Sequence, residues 1–122
     1  MLNHRSLLQS FGYAFEGIFH ALKYNQNLRI HFAVGVLVII ASLILHVNSF
    51  EMGILGIMIL LVISAEMVNS SIEEMVDLIS QEHSKEAKIA KDVAAGTVML
   101  TAISSVIVGF LIFFPYVIRL FR

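Results

Sequence analysis

Apolar side chains near the start of the chain recur with the spacing of one helix face. Leu7, Leu8, Phe11, Phe15, Ile18, Phe19 and Leu22 all fall within an arc of about 120°. The segment is too short and too polar to cross a bilayer, so it is expected to lie in the interface with that arc in the acyl boundary. Ser10, Ala14, Gly17 and Ala21 occupy a second, narrow arc of small side chains. Such an arc serves tight helix packing, or the close approach of another backbone or a ligand.

Beyond this segment the polar punctuation thins, and three stretches are apolar enough to cross a membrane: 30–47, 50–68 and 93–118. His31 and His46 stand near the two ends of the first stretch, Glu51 and Glu66 near the ends of the second, and the third is uncharged throughout. A helix rises ~1.5 Å per residue, so Met52 to Glu66 covers roughly 21 Å of a hydrocarbon layer ~30 Å thick. Tilt or a slightly deeper start makes up the difference, and Glu66 is placed near the interface. Ala94, Thr101 and Ser105, with Gly109 nearby, give the third stretch a small-residue face suited to helix packing, and Pro115 falls near its outer end. The predicted fold is all-α: an N-terminal interfacial helix and turn (1–28), three spans, and a helix extension and loop (69–92) between the second and third. All 122 residues are read as one domain.

Composition supports lipid exposure: 58% of the residues are hydrophobic and 14% charged, outside the range of an ordinary soluble domain. The absence of cysteine removes disulfides, thiolate metal sites and cysteine nucleophiles, and a formal charge of −1 offers no electrostatic footprint for nucleic acid. The first twenty residues lack the pattern of a cleaved secretory leader, and the start of the chain is expected to stay attached. Arg5, Lys23 and Arg29 precede the first span and Lys85, Lys88 and Lys91 precede the third, against Arg119 and Arg122 at the far end. Retention of basic flanks inside the cell predicts a cytoplasmic N-terminus and an external C-terminus.

The most informative stretch follows the second span. At helical spacing Glu66, Glu73 and Asp77 lie within about 40° of one another, and Asn69 and Ser70 fall beside Glu66. One reading is a solvated extension whose acids pair with the lysines of the following loop. The other gives the stripe chemistry, because a carboxylate at the edge of hydrocarbon is costly without a partner or a task. Two turns separate Glu66 from Glu73, about 10 Å along the axis, too far for one metal to bridge. Separate roles are implied: Glu66 as a general base, and Glu73, nearer water, as a ligand for a hard cation such as Mg²⁺. Lys91 is expected at the start of the third long helix, where free N–H groups favour a phosphate, and Asp92 is open to an ordinary capping role.

The run Ala65-Glu66-Met-Val-Asn69-Ser-Ser-Ile-Glu73-Glu-Met-Val-Asp77, followed by Ala90-Lys91-Asp92-Val-Ala-Ala-Gly96, resembles the prokaryotic diacylglycerol kinase and undecaprenol kinase family. The resemblance extends upstream through Tyr13-Ala-Phe-Glu-Gly17 and Asn27-Leu-Arg29-Ile-His31 and covers essentially the whole chain. It implies an interfacial helix and three spans assembled as a homotrimer in the bacterial cytoplasmic membrane, with active sites shared between neighbouring subunits. It implies transfer of the γ-phosphoryl group of MgATP to the hydroxyl of a membrane lipid. By resemblance Glu66 is the catalytic base, Asn69 its neighbour, and Glu73 a magnesium ligand. Lys91 and Asp92 hold the nucleotide, with Tyr13 near it and Arg29, Glu82 and His83 in its vicinity. The wording Ala94-Ala95-Gly96 looks more like the undecaprenol kinase branch, which makes a polyprenol the first choice of lipid and diacylglycerol the second.

One position departs from the family pattern. Asn25 stands where the family usually has a glutamate that helps Glu73 bind metal; an amide oxygen still coordinates Mg²⁺ but brings no charge. A catalytically silent relative is therefore one alternative, and a small ion-conducting subunit is another. The uncharged middle of each span speaks against a pore. Neither a G-x-x-x-x-G-K-[ST] loop nor an H-R-D-type loop is present, so neither common soluble phosphoryl-transfer scaffold applies.

Overall fold

The computed structural model of the chain describes residues 6–80, 82 and 84–122. Those residues form four helices: α1 (Leu7–Tyr24), α2 (Gln26–Ile44), α3 (Ser49–Ile79) and α4 (Lys85–Leu120). Each begins at a residue whose side chain accepts a backbone N–H: Ser6, Asn25, Asn48 and Ser84. Ser6 and Gln9 close a reciprocal capping box, with bonds of 3.1 and 3.2 Å. Helices α2, α3 and α4 are each long and apolar enough to cross a membrane. Most of their side chains remain exposed, the pattern of helices whose solvent is lipid.

Helix α3 is the axis of the molecule. Helices α2 and α4 both pack along it, and α1 lies mainly against α2. Gly35 lets α2 approach closely, since a Cβ there would stand 2.8 Å from Ile59 Cγ2. Val47, Leu55 and Ile112 form the buried cluster toward one end, flanked by Val38, Met52, Phe113 and Tyr116. At that end the Tyr116 hydroxyl donates to Glu51 Oε1 at 2.9 Å and accepts the Asn48 N–H at 3.2 Å, tying the α2–α3 turn to α4.

The first span closes sooner than the apolar run suggests. Helix α2 stops at Ile44, short of Val47, and the chain turns through a left-handed His46 (φ 55°). The His46 N–H reaches Leu43 O at 3.4 Å and the Val47 N–H reaches Ser42 O at 3.0 Å, the paired bonds of a Schellman motif. Val47 tucks into the buried cluster with Leu55 and Ile112.

The start of the last helix is a second correction. Helix α4 begins at Lys85 behind its cap Ser84, eight residues before Val93. Lys91 therefore sits well inside the helix, with no free N–H groups beside it, and Asp92 caps nothing. Apolar periodicity missed this turn because 85–92 is polar on nearly every face. Pro115 lies inside α4, which continues to Leu120.

Candidate active site

Helix α3 carries no glycine or proline after Gly56, so nothing in the sequence stops it at the edge of the apolar layer. Its 31 residues extend about 46 Å, against ~30 Å of hydrocarbon, and the surplus carries the acidic stripe. Leu55, Val62, Glu66 and Asn69 are the buried residues of α3 and lie on one face, so the apolar packing face runs directly into the polar stripe. Glu66 is 3% exposed and Asn69 6%.

The stripe forms one wall of a cavity of about 840 Å³, to which Glu66, Ser70, Glu73, Glu74 and Asp77 all contribute. Gly17, His20, Ala21 and Tyr24 of α1 face it, and Asn25, Gln26 and Asn27 close its end. Gly17 and Ala21 of the small-residue arc thus line a cavity. No other part of the described chain would meet a Cβ at Gly17.

Several polar groups in the cavity, and Asn69 behind its wall, are specifically paired. Asn25 Nδ2 donates to Glu66 Oε1 at 3.1 Å and also to the Ser70 hydroxyl. Asn69 Nδ2 donates to Glu73 Oε1 at 3.4 Å, while its Oδ1 is buried without a hydrogen-bond partner among the described residues. An acceptor buried in that way costs about 1–3 kcal/mol unless a water, ion or ligand meets it.

The remaining sequence-predicted residues divide. Lys91 reaches back from α4 to the stripe, its ammonium 2.6 Å from Asp77 Oδ1. Asp92 is held at 2.6 Å by Lys88, and this exposed hydrogen bond raises the Lys88 pKa above its ordinary value. The Arg29 guanidinium bonds the carbonyls of Leu22 (3.3 Å) and Lys23 (2.6 Å), closing the end of α1. Tyr13 is half exposed on α1, outside the cavity lining. Glu82 is exposed, and its backbone oxygen accepts from the Ser80 hydroxyl and the Ser84 N–H. Arg5 and His83 lie outside the described residues.

Two cavity residues escaped the sequence reading. His20 and Tyr24 pack with their rings tilted by 45° and their centroids 4.6 Å apart, each three residues beyond a member of the small-residue arc, Gly17 or Ala21. That spacing was the available signal; what the face turned toward was not.

Three long apolar helices and a buried carboxylate on the wall of a partly polar cavity define a small multi-pass membrane protein with a candidate site at one end of its apolar layer. Comparison with known proteins narrows that class. The prokaryotic diacylglycerol kinase family matches residues 12–113. A Synechocystis protein named diacylglycerol kinase is 41% identical over 116 residues, which cover 94% of this chain and 66% of that protein. A Bacillus subtilis protein named undecaprenol kinase is 37% identical over 117 residues, covering 93% of this chain and 95% of that one. The chain belongs to the prokaryotic diacylglycerol kinase family, a family of lipid kinases.

Proposed function

We propose that this protein transfers the γ-phosphoryl group of ATP to the hydroxyl of a membrane lipid alcohol, with Glu66 as the base. The observation that carries the reading is the position of Glu66. It is buried at the point where the apolar face of α3 becomes the acidic stripe, and it opens onto the cavity. A lipid hydroxyl reaches such a carboxylate without leaving the interface.

In the reaction the hydroxyl proton passes to Glu66 as the alcohol oxygen attacks the γ-phosphorus. The bond to the β-phosphate oxygen breaks and ADP departs. Lys91 exchanges Asp77 for a phosphate oxygen when nucleotide arrives. Glu73 would hold Mg²⁺, with the unpartnered Asn69 oxygen beside it; when bound, the ion neutralises phosphate charge. Among the described residues no three acidic or histidine side chains converge into a cage. That suits Mg²⁺, which binds through one or two carboxylates together with substrate phosphates.

The first choice of lipid is undecaprenol, supported by Ala94-Ala95-Gly96 and by a match to the Bacillus undecaprenol kinase over nearly its full length. Diacylglycerol is second, supported by the Synechocystis relative. The site faces the cytoplasm, α1 lies in the interface, and the working form is a homotrimer whose neighbours complete the open cavity. One observation favours a second reading, a weakened or silent enzyme: position 25 supplies an amide in place of a carboxylate. Purified protein supplied with radiolabelled ATP, Mg²⁺ and either lipid separates these readings. Label in undecaprenyl phosphate supports the first choice, and label in neither lipid supports the silent form.

A further inference from the structure

Asn25 is shared by two helices. Its N–H donates to Ala21 O at 2.9 Å as α1 ends, and its Oδ1 accepts the Leu28 N–H at 3.2 Å as α2 begins. These two bonds fix the side chain's sense. A helix N-cap must present an acceptor, so the carbonyl end turns to Leu28 and the NH₂ end must turn away from it, toward α3. There it meets the buried Glu66 carboxylate at 3.1 Å and the Ser70 hydroxyl, which occupy its two hydrogens. A glutamate at this position would offer acceptors only and could not make the Glu66 contact as a carboxylate.

We infer that Asn25 is a positioning residue for Glu66, an amide clamp that orients the carboxylate toward the cavity, and that it is not a ligand for the catalytic metal. The catalytic half of this inference rests on the kinase reading; the contact itself does not. The clamp engages Oε1 and leaves Oε2 to take the proton of the lipid hydroxyl. It supplies a donor where a second negative charge would repel Glu66, so the site runs with one carboxylate fewer beside the base. Leu28, the residue that the cap anchors, is fully buried.

Asn25→Asp tests this, because aspartate retains the cap but removes the NH₂ and places a carboxylate against Glu66. The clamp predicts that kcat falls about ten- to a hundredfold while KM for ATP stays near its original value. It also predicts that the Mg²⁺ concentration giving half-maximal rate does not fall. A metal ligand predicts the reverse: turnover is kept and half-saturation moves to lower Mg²⁺, an outcome that overturns the inference. Asn25→Ser guards against misfolding from charge repulsion, since serine caps without bringing charge or reaching Glu66; it too should lower kcat with KM retained, and unchanged kcat contradicts the clamp. A measurement free of turnover completes the test. In detergent-solubilised protein labelled with ¹⁵N, the Asn25 side-chain amide signals should shift in Glu66→Gln, and unmoved signals refute the contact. Absence of lipid phosphorylation by the unaltered protein would refute the kinase reading while leaving this resonance test decisive for the contact.

Discussion

Lys91 and Asp77 stand 2.6 Å apart, joining the second turn of α4 to the C-terminal end of the acidic stripe across fourteen residues of sequence. Both side chains are partly solvated, so the pair contributes no more than about 1 kcal/mol to stability. Its value lies elsewhere: it keeps an ammonium parked beside the cavity.

Lys91→Gln is therefore expected to leave the unfolding midpoint within a few degrees of the original while raising KM for ATP about tenfold or more. Asp77→Asn releases the ammonium and should not raise KM. Steady-state kinetics at varied ATP, with thermal unfolding in the same detergent, checks both. A Lys91→Gln enzyme with unaltered KM would confine Lys91 to a structural role.

The left-handed His46 gives a prediction for stability alone. A residue with a Cβ pays roughly 1–2 kcal/mol in that conformation, and glycine escapes it. His46→Gly should stabilise the protein by about 1 kcal/mol and leave phosphoryl transfer unchanged, since the turn lies at the opposite end of the spans from Glu66. Unfolding followed by circular dichroism reads the shift. A lower midpoint would mean that the imidazole contributes more than its backbone strain costs.

Gly35 predicts the opposite sign. A methyl at Gly35 meets Ile59 Cγ2 at 2.8 Å, and that methyl group sits on a branched carbon with little freedom to yield. Gly35→Ala should cost about 1–3 kcal/mol by overpacking the α2–α3 contact. Adding Ile59→Ala should recover part of the loss, a coupling that a double-mutant cycle measures. Simple additivity of the two changes would show that the helices do not meet there.

Much of this architecture was legible in the residues. Three long apolar stretches sufficed for the three long helices, and helical spacing alone put Glu66, Asn69, Glu73 and Asp77 on one face. What stayed hidden depended on other signals. The turn at His46 sits inside an apolar run with no glycine or proline to mark it. Helix α4 starts eight residues early because Lys85, Glu86, Lys88 and Lys91 obscure any apolar stripe, and only the cap at Ser84 marks the beginning. Asn25 was visible as a polar residue between two helical patterns. That its amide faces Glu66 is a consequence of where α3 passes, forty-one residues later in the chain. His20 and Tyr24 join the cavity for the same tertiary reason.

In the proposed reaction Glu66 is the group that receives the lipid proton. The most direct measurement is the rate of phosphate transfer from radiolabelled ATP to undecaprenol by Glu66→Gln, alongside the unaltered enzyme at saturating Mg²⁺. Glutamine keeps the shape and an acceptor for the Asn25 amide, so folding should be retained. Loss of a general base predicts a kcat lower by about 10²–10⁴-fold with KM for ATP little changed. Turnover within a few-fold of the original, in protein that unfolds at the original midpoint, would contradict the assignment.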